Sequence, residues 1–262
     1  NVIFDFSSYS NGIPPHGSDI RSLTPDAAFQ YRPFLNLAKV GLDKISHRIS
    51  NALFPTYTSS SVGYDPALET HVLENSIFGY FQTYKYLEDP KVRSVINSLH
   101  LYPVSDWFDK CSTEMLEFPT ISVHIRRGDY MNSLESFGAL SSEYYKSAIE
   151  FAVENSSTSF SRVLVFSDDI TVAKQLFSKL EVSLPVQFAE SSENYPEETL
   201  MLMSQSDALI ISNSTFSWWA GYLNPKEINV FPQKWFVSNK IAFSPELFFP
   251  DLPILIDYEL LR

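Results

Sequence analysis

The sequence predicts an α/β protein whose second half is a doubly wound domain built on a parallel sheet. Three observations predict it. After Phe118-Pro119, short apolar runs rich in β-branched residues alternate with amphipathic stretches of about ten residues, the order that produces parallel βαβ units. The amphipathic stretches open on capping residues or proline. Polar clusters follow the apolar runs, and in such sheets ligands gather at the carboxyl ends of strands.

Each element follows in turn. Residues 121–125 form the first strand. Residues 143–154 form a helix, with Tyr145, Ala148, Ile149 and Ala152 at helical spacing behind Ser141 and Ser142. Residues 162–166 are β-branched and aromatic and make the next strand. A helix over 171–180, a strand over 186–188 and a helix over 196–204 with proline in its first turn come next. The pattern closes with a strand over 208–211, a helix over 216–223 and a strand over 228–231.

The first half is irregular. It offers a strand over 2–6, helices over 34–46 and 90–99, and an exposed loop rich in Ser, Thr and Tyr over 56–64. Residues 1–118 and 119–262 are therefore expected to be separate domains.

Composition narrows the function. A 262-residue chain with 44% hydrophobic and 15% aromatic residues can build real cores. A net charge of -12 is the wrong sign for a nucleic-acid surface, which needs a basic footprint. An acidic protein that handles an anion must concentrate positive charge locally, so paired arginines carry weight. The single cysteine, Cys111, excludes an intrachain disulfide framework and a cysteine-based zinc site. No apolar run reaches the roughly 20 residues of a membrane span.

Three strand ends carry polar clusters. Arg126 and Arg127 follow the first strand, with Gly128 and Asp129 turning the chain. Arginine forks bind phosphate oxygens and stay charged, so two of them can hold a diphosphate as leaving-group charge develops. Strand alternation puts His124 on the face of Arg126. Taken alone, this segment is more readily a structural ion pair between Asp129 and one arginine. At the second strand end stand Ser167, Asp168 and Asp169. One carboxylate can accept from a guanine edge while the other caps the following helix. At the third, Ser212, Asn213, Ser214, Thr215 and Ser217 lead into a helix whose N-terminus favours anions. A cation pair, an acidic pair and an anion-binding helix start on one sheet suit a nucleoside diphosphate.

These segments resemble a known family. Val123-His124-Ile125-Arg126-Arg127-Gly128-Asp129-Tyr130 looks like the His-x-Arg-Arg-x-Asp motif of the α-1,2-fucosyltransferases, glycosyltransferase family 11. Phe166-Ser167-Asp168-Asp169 and Ile211-Ser212-Asn213-Ser214-Thr215-Phe216-Ser217-Trp218-Trp219 resemble its second and third motifs. Gly79-Tyr80-Phe81-Gln82 resembles its Gly-Tyr-Phe-Gln segment, which makes Gln82 a substrate-binding candidate. The resemblance implies a GT-B fold of two Rossmann-like domains. It also implies inverting, metal-independent transfer of L-fucose from GDP-β-L-fucose to O2 of a terminal galactose, with no cofactor. Arg126 would bind the β-phosphate and assist its departure, and Arg127 would support it. His124 and Asp129 would organise the motif, Asp169 with Asp168 would read guanine, and Ser214, Thr215 and Ser217 would line the phosphates.

The family's opening Gly-Leu-Gly-Asn-Gln loop has no counterpart here, so the N-terminal domain is expected to be incomplete. Two other functions stay open: a GDP-sugar binder without turnover, and a related fucosyltransferase with another acceptor or linkage. The lack of an apolar span and the single cysteine point to a cytoplasmic enzyme of bacterial type. A Golgi enzyme anchored upstream is the alternative.

Overall fold

The structure is a computed structural model and describes residues 56–59, 63–69, 76–78, 81–98, 104–132, 134, 138–190, 196–237, 254–256 and 260–261. The expected strand over 2–6 and helix over 34–46 lie outside the described residues. The chain forms two compact units, Asn1–Pro103 and Val104–Arg262. Among the described residues no helix is long and apolar enough to cross a membrane.

In the first unit, β1 (Thr56–Thr58) pairs in parallel with β2 (Ser76–Phe78). Part of the expected 56–64 loop is therefore a strand. Alternating β-branched threonines around Tyr57 suit a pleated backbone. The buried Asp65 then gathers the Tyr57 and Ser59 hydroxyls, both at 2.6 Å, and turns the chain. Helix α1 (Pro90–Asn97) starts where expected. Asp89 accepts from the N–H groups of Lys91 and Val92, and Pro90 occupies the first turn, where no donor is missed.

The second unit opens with α2 (Asp106–Glu117), a helix the periodicity does not reveal. Its bonds explain why the units divide after Pro103, rather than after Phe118. Glu198 accepts from the Ser105 N–H at 2.7 Å and from the Ser105 hydroxyl, Ser112 bonds Gln205, and Glu114 pairs with Arg162. The helix is thereby tied to elements far along the second unit.

The remaining elements are β3 (Thr120–Ile125), β4 (Ala139–Leu140), α3 (Ser142–Asn155), β5 (Arg162–Ser167), α4 (Ile170–Phe177) and β6 (Val186–Phe188). They continue with α5 (Pro196–Ser204), β7 (Ala208–Ile210), α6 (Thr215–Leu223), β8 (Ile228–Pro232), β9 (Ile254–Ile256) and β10 (Leu260–Leu261). Six of the strands make one sheet in the order β6-β5-β3-β7-β8-β9, every neighbour parallel. A separate antiparallel pair joins β10 to β4. The α/β class with a parallel sheet is as the sequence predicts.

The order fixes where a ligand can sit. From β3 the chain winds outward through β5 to β6, then returns to β7 on the other side of β3 and winds outward through β8 to β9. Connections leave β3 and β7 in opposite directions, the switch point at whose carboxyl ends open α/β sheets hold their ligands. Beneath it lies the core. Ile121, Val123 and Ile125 of β3 pack with Tyr144, Tyr145, Ala148, Ile149 and Ala152 of α3 and with Val163, Val165, Ile210 and Val230 of neighbouring strands. Thr120, Ser122 and His124, which alternate with them, are buried too. A strand covered on both faces is what a parallel sheet with helices on both sides requires.

Candidate active site

The site begins at the end of β3. His124 is buried, and its Nδ1 lies 2.7 Å from the Ser212 hydroxyl, which in turn lies 3.3 Å from the Ser217 hydroxyl. Burial, and after it the positive charge of Arg126, pushes the imidazole pKa down to about 3. The ring is neutral at ordinary pH and ties β3 to the loop after β7. Phe216 packs against it with ring centroids 5.6 Å apart.

The two arginines part company. Alternation sends Arg126 to the His124 side, and its guanidinium pairs with Asp168 Oδ2 at 3.1 Å with 29% of the side chain exposed. Its guanidinium carbon lies 5.4 Å from the centre of the Tyr130 ring. Arg127 points the other way. It is only 4% exposed and donates to the carbonyls of Arg126 and Leu140. The expected second phosphate ligand is instead a brace for the backbone. The signal was present in the sequence: the alternation that unites His124 with Arg126 also separates Arg126 from Arg127.

The acidic pair is equally divided. Asp168 Oδ1 accepts from the Arg127 N–H at 2.8 Å while Oδ2 faces Arg126. Asp169 caps α4 by accepting from the Val172 N–H at 3.0 Å. Both carboxylates, expected at guanine, are thus already engaged by the chain itself.

At the third strand end the hydroxyls turn inward. Ser212, Asn213, Ser214 and Ser217 are buried, and only Thr215 is exposed. Ser217 bonds the carbonyls of Ser212 and Ser214, and the Asn213 amide bonds the Trp235 carbonyl. Ser214 stands at the N-cap of α6 with no side-chain cap bond, so the first-turn N–H groups of that helix lack the usual side-chain acceptor. Such an end attracts anions. Tyr130, not singled out by the sequence reading, links the two strand ends. Its ring lies beside Arg126 and its hydroxyl donates to the Asn213 carbonyl at 3.0 Å.

Asp129 opens a 3-10 turn, Asp129–Asn132, and its expected side-chain role lies outside what is described. Gln82 belongs to the first unit. Its side-chain oxygen is buried without a hydrogen-bond partner, next to Phe81 with φ at 50°. Gly79 and Tyr80 lie outside the described residues. Among the described first-unit tyrosines, Tyr57 bonds Asp65, and Tyr64 lies against Tyr86 with Lys85 over its ring. Among the described residues no three His, Cys, Asp or Glu side chains gather as a metal site.

The profile of the Glycosyl transferase family 11 matches residues 76–247, a span that contains all three strand-end clusters. The chain belongs to glycosyl transferase family 11. An α-1,2-colitosyltransferase of Escherichia coli is 35% identical over 138 residues, covering 48% of this chain and 44% of that protein. A galactoside 2-α-L-fucosyltransferase of Caenorhabditis elegans is 30% identical over 161 residues, covering 58% of this chain and 43% of that protein. The chain spans less than half the length of the curated relatives it matches, 40–44%. Among solved structures, the fucosyltransferase NodZ from Bradyrhizobium is similar at 16% identity with a TM-score of 0.41, over 58% of this chain and 53% of that one.

Proposed function

We propose that this family 11 protein transfers L-fucose from GDP-β-L-fucose to O2 of a terminal galactose, inverting the anomeric centre. The observation that carries the reading is the place of Arg126. It stands at the carboxyl end of β3, at the switch point of the sheet, and Tyr130 ties its surroundings to the loop that opens α6. A diphosphate laid across this switch point meets one fixed cation and the N–H groups of a helix start. The names of two family relatives support the reading: one is a galactoside 2-α-L-fucosyltransferase and another an α-1,2-colitosyltransferase.

The chemistry follows from charge. As the bond between the fucose C1 and the β-phosphate oxygen breaks, negative charge gathers on the departing GDP, while the acceptor hydroxyl closes on C1 from the opposite face and releases its proton to solvent. Arg126 and the α6 N–H groups are ordered before the charge appears, which lowers the barrier without reorganisation. His124 is buried against Ser212, and a pKa pushed down to about 3 makes its imidazole a weak proton acceptor, so its part is to order the Ser212 loop. The first unit, expected from the sequence over residues 1–118, would bind the galactose acceptor, and a cytoplasmic setting would supply the nucleotide sugar.

Turnover of GDP-fucose onto a galactoside by the full-length protein and its Arg126→Ala variant tests this reading. Near-parental turnover by the variant would sink it. The colitosyl relative favours one second reading, a donor carrying colitose. Competition between the two activated sugars decides between them. GDP binding without transfer of either would mark a binder.

A further inference from the structure

Resting on that transferase reading, we infer that Asp168 is a positioning residue that aims the Arg126 guanidinium at the donor diphosphate. The backbone sets the pair. The β3–β5 register ends at Ile125 opposite Ser167, and the next residue of each strand is Arg126 and Asp168. Both carboxylate oxygens are used: Oδ1 accepts from the Arg127 main-chain N–H at 2.8 Å, and Oδ2 faces Arg126 Nη1 at 3.1 Å. A carboxylate pinned to the main chain at one oxygen presents the other in a fixed direction. The flexible arginine side chain is therefore ordered before any ligand arrives, so its charge is already in place when negative charge develops on the departing phosphate.

Gly128 makes room for this arrangement. A Cβ there would lie 2.4 Å from Asp168 Oδ2 and 3.2 Å from its Cγ. The obstacle is the end of a side chain, and no backbone blocks the position, so a methyl group moves the carboxylate and spares the fold. The exposure of the pair, 29% for Arg126 and 23% for Asp168, argues that its purpose is aim. Ion pairs open to solvent contribute little to stability. The Tyr130 ring, 5.4 Å from the guanidinium carbon, bounds it on another side.

Two variants of the full-length protein test the inference. Asp168→Asn removes the charge and keeps an acceptor for the Arg127 N–H. Gly128→Ala displaces the carboxylate and leaves both partners chemically unaltered. Each lowers kcat by up to about 100-fold, the scale of a misplaced catalytic group, with KM for GDP-fucose little changed. In an Arg126→Ala background neither adds a further loss. A donor-free readout accompanies this: phenylglyoxal modification of Arg126, followed by peptide mass spectrometry, runs several-fold faster in both variants than in the parent. Parental kcat in both variants overturns the inference. So does a kcat loss that persists in the Arg126→Ala background, since Asp168 would then act on the ligand itself. If the parent transfers no fucose, the transferase reading has failed, and the modification rate alone decides: faster supports the positioning role, unchanged overturns it.

Discussion

The two ends of the six-stranded sheet each carry an arginine paired with a carboxylate, and they use it differently. At the amino end, Arg162 is 8% exposed and reaches Thr120 through Nε and both Glu114 and Gln187 through Nη1. Those partners come from α2, β3 and the edge strand β6, so the guanidinium sews layers together. At the carboxyl end, Arg126 meets the Asp168 carboxylate and the Tyr130 ring among the described residues and remains 29% exposed. The first arginine is enclosed by its partners. The second is aimed by them. What separates the two cations is how far solvent, and so a ligand, can reach the guanidinium, since both have a carboxylate partner.

That contrast can be broken at either end. The largest expected effect is on chemistry: Arg126→Ala lowers kcat by about 100- to 1,000-fold, the cost of removing one preorganised charge-stabilising donor. Its thermal unfolding stays near that of the parent. Arg127→Ala sharpens the comparison, because Arg127 neighbours Arg126 in sequence and resembles Arg162 in burial. It costs about 2–3 kcal/mol in denaturant unfolding, since the buried carbonyl of Leu140 loses a charged donor. Its kcat per folded molecule falls far less than that of Arg126→Ala, and an equal fall would show that Arg127 meets the phosphate after all. Arg162→Met costs about 1–3 kcal/mol of stability by orphaning its hydrogen-bond partners, with kcat at the parental value.

The smallest effect is on pH dependence. His124 is held neutral in the fold down to about pH 3, whereas in the unfolded chain it takes up a proton near 6.5. The unfolded state therefore binds the extra proton first. The contribution of this residue to stability is full above pH 6.5 and declines as pH falls towards 3. Subtracting the stability profile of His124→Gln from that of the parent isolates this slope. A flat difference between pH 6.5 and 4 would show that the ring is not buried neutral.

The second unit was legible in the sequence because its strands and helices obey simple periods. The strands over 121–125, 186–188 and 228–231 and the helix over 196–204 fall within a residue of the observed elements. Helix α2 was hidden because its stabilisation is polar. Leu116 is 85% exposed, only Met115 among its side chains is buried, and a serine cap with distant carboxylate bonds holds it in place. The antiparallel pairing of β10 with β4 was hidden because two-residue strands carry no period. The three strand-end clusters lie together at the carboxyl end of the sheet, but the contacts each residue makes depend on register. Which arginine turns outward, and which aspartate meets it, follows from Ile125 lying opposite Ser167, and pairing register is a property of two strands that neither reveals alone.

The inward turn of the serines after β7 has an evolutionary consequence. Ser212 and Ser217 are spent on His124, on each other and on nearby carbonyls, so what α6 would offer a diphosphate, beside the exposed Thr215, is its main chain. A grip made of peptide groups is indifferent to which sugar hangs from the phosphate. On the proposed transferase reading, the sugar can be exchanged by altering residues elsewhere without touching this anion seat, which accords with fucosyl- and colitosyl-transferring relatives standing close to this chain.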